Sequence, residues 1–280
     1  MQKHLFGNAA VAVPVIGQGS WQFPSGQKAI EEAKLSLRVG IEHGMVHIDT
    51  AEMYGDSELI IAAAIKDLKR EDLFIVSKVL PSNSSFNGTV KACDKSLKRL
   101  GLDYLDCYLL HWRGAVPLSE TMSALEKLVD DGKIRSLGVS NFDHDDLQEA
   151  VSVMQKHKIA CNQVLYNLHQ RGIERRVIPF CREANIAIVG YTPFAQRGIP
   201  SGNGGKVLSE IAAKHGASPR QIMLAFLVRE YILFTIPKAA KQDHTIENAG
   251  AGKVKLSEDD IKSIDAAFPA PQKDTPLAMI

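Results

Sequence analysis

Residues 73–112 read LFIVSKVLPSNSSFNGTVKACDKSLKRLGLDYLDCYLLHW, and the order of patterns within them decides the fold. LFIVSKV at 73–79 is apolar on both faces of an extended chain, as expected of a strand in a parallel sheet covered by helices. GTVKACDKSLKRLG at 88–101 then places apolar residues three or four apart with charges opposite, the pattern of a helix covering one face of a sheet. YLDCYLLHW at 104–112 is apolar again. Together these three stretches make one strand–loop–helix–loop unit.

The same unit recurs in both directions. Apolar runs stand at AVPVIGQGS (12–20), MVHID (45–49), IRSLGVSNF (134–142), ACNQVLYN (160–167), AIVGYTPF (187–194) and LFTIPKA (233–239), which with the two above makes eight. Helical periodicity fills the intervals, at 27–44, 57–70, 119–133, 143–157 and 173–185. Ser119 and Asp143 stand where N-caps belong, and Gly132 where a helix ends. Eight such units in a chain of this length predict a (β/α)8 TIM barrel forming a single domain over residues 1–280. KHLFGNAAVAVPVIG at the start predicts a small hairpin closing the barrel bottom. The interval before the eighth strand is longer and holds QRGIPSGNGGK (196–206) and two further helices; another, SEDDIKSIDAAF (257–268), follows near the C-terminus.

Composition narrows the function classes. Lys and Arg total 33 against 32 Asp and Glu, so no charge imbalance calls for nucleic acid or an anionic membrane. No stretch reaches the length of a membrane span and the N-terminus lacks the apolar core of a signal peptide, so a cytoplasmic protein is expected. Cys93, Cys107, Cys161 and Cys181 are scattered, which predicts reduced, buried thiols, and no metal-binding motif is present.

In a barrel of this kind the active site lies at the C-terminal ends of the strands. Polar residues gather there: Asp49 with Tyr54 in the loop beyond it, Lys78, His111, Ser140 with Asn141, Gln163, Tyr191 and Lys238. Each has an unremarkable reading alone, as a cap, a surface charge or a core histidine. As a set they answer one chemical need. Lys78 paired with Asp49 would lie beside the Tyr54 hydroxyl, and that cation is expected to lower the phenol from its usual value of about 10. A phenol so placed is a general acid, and His111 can hold a substrate oxygen against it. Hydride addition to a carbonyl creates the oxygen that needs such a proton.

HIDTAEMYG, IVSKV, LLHW, GVSNF, NQVLYN, GYTPF and IPKAAKQDHTIEN, in that order, resemble the signatures of the aldo-keto reductases over essentially the whole chain, and of their short-loop bacterial members that reduce diketogluconates and methylglyoxal. The resemblance implies a tetrad of Asp49, Tyr54, Lys78 and His111 with Tyr54 as proton donor. It further implies that Ser140, Asn141 and Gln163 hold the nicotinamide carboxamide and that Tyr191 stacks on the nicotinamide. By the same resemblance Lys238 lies near the adenosine 2′-phosphate, Glu247 and Asn248 meet the adenine, and Trp21 and Trp112 line the substrate pocket. NADPH is the cofactor implied. His244 stands where many members carry arginine, and its partial charge leaves NADH use open. GQGSWQ (17–22) and GNGGK (202–206) fail as nucleotide fingerprints, and the glycines at 198, 202, 204 and 205 are expected to make the seventh loop flexible. A short loop after the fourth strand and a tail of about a dozen residues suggest an open pocket. Two alternatives stand beside carbonyl reduction by a monomer: a class I aldolase-type lyase with Lys78 as Schiff base, and a cofactor-binding sensor without turnover.

Overall fold

The computed structural model describes residues 1–23, 26–195 and 198–280; Gln196 and Arg197 of the seventh-loop reading lie outside it. A hairpin of β1 (Lys3–Leu5) and β2 (Ala12–Pro14) opens the chain, paired antiparallel. Eight parallel strands follow: β3 (Gln18–Gly19), β4 (His47–Asp49), β5 (Phe74–Val79), β6 (Leu105–Leu110), β7 (Ile134–Ser140), β8 (Ile159–Leu165), β9 (Ala187–Tyr191) and β10 (Leu233–Thr235), hydrogen-bonded in sequence order. Parallel bridges Ile16–Thr235 and Gly19–Lys238 join the first barrel strand to the last. The AVPVIGQGS run is therefore shared: its first residues belong to the hairpin and its last to the barrel.

Helices α1 (Gln27–Glu42), α2 (Ser57–Ile65), α3 (Phe86–Leu100), α4 (Leu118–Asp130), α5 (His144–Ser152) and α6 (Val177–Glu183) alternate with the strands. Two more, α7 (Gly202–His215) and α8 (Pro219–Leu227), occupy the long interval, and α9 (Gln242–Gly250) and α10 (Glu258–Ala267) end the fold. No helix among the described residues is long and apolar enough to cross a membrane. The four cysteines are free and buried.

Alternation along the strands sorts the side chains. Phe74 and Val76 of β5 join the cluster inside the barrel, whereas Ile75 and Val79 join the layer beneath the helices. The hairpin plugs the bottom through Phe6, whose ring packs at 5.6 Å from His47, 4.8 Å from Phe74 and 5.1 Å from Phe234.

Several boundaries depart from the periodicity. Ser119 does not cap α4, which begins at Leu118 after Pro117; Asp143 does cap α5, accepting from the amides of Asp145 and Asp146. Apolar spacing carries α5 to residue 157, but the helix stops at Ser152. The Glu126 carboxylate takes the backbone N–H groups of Gln155, Lys156 and His157 at 3.0, 2.6 and 2.8 Å, and that charged acceptor outcompetes helical hydrogen bonds. Likewise α2 ends at Ile65, where the Leu68 amide turns back to the Ile65 carbonyl at 2.9 Å, and Arg70 pairs with Asp106 at 2.6 Å instead of continuing the helix. The expected flexible GNGGK segment is the start of α7. A Cβ on Gly205 would lie 2.1 Å from the Pro200 carbonyl oxygen and one on Gly204 2.4 Å from the Phe268 ring, so these glycines serve close packing.

Candidate active site

The inward positions at the C-terminal ends of the strands assemble the site. Period-two alternation carries β4 from His47 to Asp49 and β5 from Val76 to Lys78, so acid and amine surmount the apolar interior on neighbouring strands. Lys78 is fully buried. Its ammonium donates to Asp49 Oδ1 at 2.5 Å, to the Thr50 carbonyl at 2.8 Å and to the Tyr54 hydroxyl at 3.4 Å. Gln163 Nε2 donates to the other Asp49 oxygen at 2.7 Å. The Tyr54 hydroxyl lies 3.5 Å from His111 Nε2. The structure thus brings Asp49, Tyr54, Lys78 and His111 together.

Their electrostatics correct one expectation. Burial opposes charge on Lys78, but Asp49 and the Tyr54 hydroxyl outweigh it and hold the amine above the ordinary lysine value. Burial raises the Asp49 carboxyl, with Lys78 and Gln163 pulling it back. For Tyr54 the expected fall does not occur. Its pKa is raised, because burial disfavours phenolate more than Lys78 favours it and the Asp49 charge offsets part of the ammonium's effect. Burial and the Lys78 charge depress His111 to about 2, so its imidazole is neutral. An amine this buried and this firmly protonated is unsuited to Schiff-base chemistry, which needs the free base.

Above the tetrad opens a cavity of about 440 Å³. Asp49, Tyr54, His111, Ser140, Asn141, Gln163, Tyr191, Lys238, Trp21 and Trp112 all contribute to its wall. Asn141, at φ +59°, donates from Nδ2 to the His111 carbonyl at 3.1 Å and accepts from the Tyr191 hydroxyl at 2.8 Å. Ser140 Oγ donates to the Gln163 carbonyl at 3.0 Å. His244, Glu247 and Asn248 lie on α9, outside that wall. Glu247 accepts from Ser218 Oγ at 2.6 Å, and Asn248 Oδ1 is buried without a hydrogen-bond partner among the described residues.

Two features fit the cofactor that the sequence implies. Lys238 has no carboxylate partner among the described residues, and burial alone depresses its pKa, the condition of a cation suited to an added anion. The neutral amides and hydroxyls of Ser140, Asn141 and Gln163 offer both donors and acceptors, as a carboxamide requires.

The tail, read from sequence only as short, reaches the pocket. Met279 and Ile280 return to line it. Met53 and Phe194 complete an apolar lining that was not singled out in the sequence. The only signal for the tail was its apolar ending, PLAMI (276–280), after a polar, proline-containing run.

The sequence model described as "Aldo/keto reductase family" matches residues 15–268. The methylglyoxal reductase YeaE of Escherichia coli is 41% identical over 284 residues, covering 100% of this chain and 99% of its own. The glyoxal reductase of Bacillus subtilis is 37% identical, covering 91% and 89%. Among solved structures, an aldo/keto reductase from Klebsiella pneumoniae in complex with NADP and acetate superposes with a TM-score of 0.93 at 38% identity, covering 100% of both chains.

Proposed function

This chain belongs to the aldo/keto reductase family and is a carbonyl reductase, and we propose that it reduces small neutral aldehydes and α-dicarbonyls of the methylglyoxal type with NADPH. The observation that carries the reading is the convergence of Tyr54 and His111 on the wall of a largely apolar cavity with Lys78 buried beside them, Tyr54 lying 3.4 Å from Lys78 Nζ and 3.5 Å from His111 Nε2.

When bound, NADPH supplies the hydride that reduces the carbonyl carbon. Ser140, Asn141, Gln163, the Tyr191 ring and Lys238 would hold it, with His244, Glu247 and Asn248 on α9 completing its binding surface. The neutral His111 ring, in the tautomer that carries its proton on Nε2, would donate a hydrogen bond to the carbonyl oxygen and hold it beside the phenol. Tyr54 then gives its proton to that oxygen. A raised pKa does not prevent this, since an alkoxide is a far stronger base than a phenolate, and it keeps the proton in place until charge develops. Lys78 stabilises the phenolate that forms, and Asp49 keeps Lys78 charged. Trp21, Met53, Trp112, Phe194, Met279 and Ile280 exclude water from the reacting centre.

The names of the two curated relatives support dicarbonyls as substrates. We further propose that the whole chain acts as one catalytic unit, as a monomer, in the cytoplasm, where four unpaired cysteines are at home. The test is NADPH oxidation in the presence of methylglyoxal. Wild type turns over, and Tyr54→Phe loses at least about 10²-fold in kcat while its NADPH Kd stays within about twofold. Turnover by Tyr54→Phe within a few-fold of wild type would overturn the role given to that hydroxyl. Cofactor binding without turnover on any carbonyl would favour the sensor alternative.

A further inference from the structure

Between Asp49 and Tyr54 the chain must leave β4, turn, and bring a phenol back over an amine on β5. The turn has its own hydrogen bonds, from the Tyr54 amide to the Ala51 carbonyl at 3.0 Å and from the Ser57 amide to the Tyr54 carbonyl at 3.1 Å. These shape the loop without tying it to β5. At its start the loop is held to β5 by the Thr50 amide on the Val76 carbonyl and by the Lys78 ammonium on the Thr50 carbonyl, and nearer Tyr54 Glu52 makes a further tie. Its amide donates to the Lys78 carbonyl at 3.3 Å, and its Oε1 accepts from the Leu80 amide at 2.6 Å and from Asn83 Nδ2 at 3.0 Å. Leu80 and Asn83 lie in the segment by which the chain leaves β5, two and five residues beyond Lys78. A carboxylate with two such donors forms a charge-assisted clamp.

We propose that Glu52 is a positioning residue for the reduction, fixing the Tyr54 loop to the exit of the Lys78 strand and so setting the reach of the phenol to its neighbours; this rests on the function proposed above. Glu52 lies outside the cavity wall, so its effect passes through Tyr54. The Tyr54 contacts at 3.4 and 3.5 Å are already long, and displacement of a reacting group by about 1 Å can cost about 10²-fold in rate.

The experiment compares Glu52→Ala, Glu52→Gln and Asn83→Ala with wild type, by steady-state NADPH oxidation with methylglyoxal and by NADPH titration of protein fluorescence. Glu52→Ala is expected to lose tenfold or more in kcat, with KM and the NADPH Kd within about threefold. Glu52→Gln keeps the acceptor oxygen and should recover most of that loss. Asn83→Ala removes one donor and should lose less, which keeps the test open if Glu52→Ala does not fold. The inference is overturned if Glu52→Ala or Asn83→Ala keeps wild-type kcat, or if Glu52→Gln is as impaired as Glu52→Ala. It is also overturned if the kcat loss is matched by an equal loss of NADPH affinity. A wild type that turns over no carbonyl would instead overturn the proposed function.

Discussion

Replacing Lys78 by methionine tests the charge arrangement on which the site depends. Methionine has nearly the length and volume of the lysine stem and donates no hydrogen bond. In the native protein the ammonium uses its three N–H groups on Asp49, Thr50 and Tyr54. Its removal leaves the Asp49 carboxylate, 1% exposed, with Gln163 as its remaining side-chain partner. Breaking a buried pair on one side costs about 3–5 kcal/mol, which for chains of comparable size lowers Tm by roughly 6–20 °C. The deficit should depend on pH. Burial already raises Asp49 above its unfolded value, and loss of the cation raises it further. A carboxyl with a raised folded pKa contributes stability below its unfolded pKa and loses it as pH rises through the folded one, so Lys78→Met should be more impaired at pH 8 than at pH 5. Adding Asp49→Asn removes the stranded charge and should recover most of the loss, because replacing both partners of a buried pair is nearly neutral. Urea unfolding followed by circular dichroism at both pH values reads all four corners of the cycle. A single variant within about 1 kcal/mol of wild type, or a double variant no more stable than the single, would refute the reasoning.

Three further outcomes are expected. Because the Tyr54 phenol is raised above its usual value of 10, kcat for reduction should stay level up to about pH 10, and a fall centred between pH 7 and 8 would contradict that environment. His47 has no partner for either ring nitrogen among the described residues and is held neutral, its pKa pushed down to about 3 by burial and then by Lys78, so the unfolded chain binds its proton first. Wild type should lose roughly 2 kcal/mol from this group between pH 7 and pH 5, and denaturant titrations of His47→Leu should show a correspondingly flatter pH dependence. His244→Arg should shift the ratio of NADPH to NADH kcat/KM toward NADPH, since arginine carries full charge and a planar fork for a phosphate; an unchanged ratio would remove His244 from that contact.

Much of this site could be read from short-range pattern. Strand alternation alone puts Asp49 and Lys78 on the same interior face near the same end of neighbouring strands; register sets Asp49 against Val76, and the long lysine side chain spans the two-residue offset. The Asp143 cap needed no tertiary information either, because its side chain serves amides two and three residues on. Where Glu126 ends α5 from 29 to 31 residues away, nothing local announces it.

By itself, then, the amino-acid sequence determined the eight-fold alternation, the rim on which the polar residues stand and the chemistry available to them, since these depend on periodicity and residue type. Only the tertiary structure decided how strongly each group feels the others. Tyr54 lies between a cation that favours phenolate and a burial that disfavours it, and burial prevails. The final residues Met279 and Ile280 close onto a pocket whose catalytic groups lie far back in the chain. Glu52 finds its donors 28 and 31 residues onward. Desolvation and long-range contact depend on the whole packed assembly, and no window of sequence contains them.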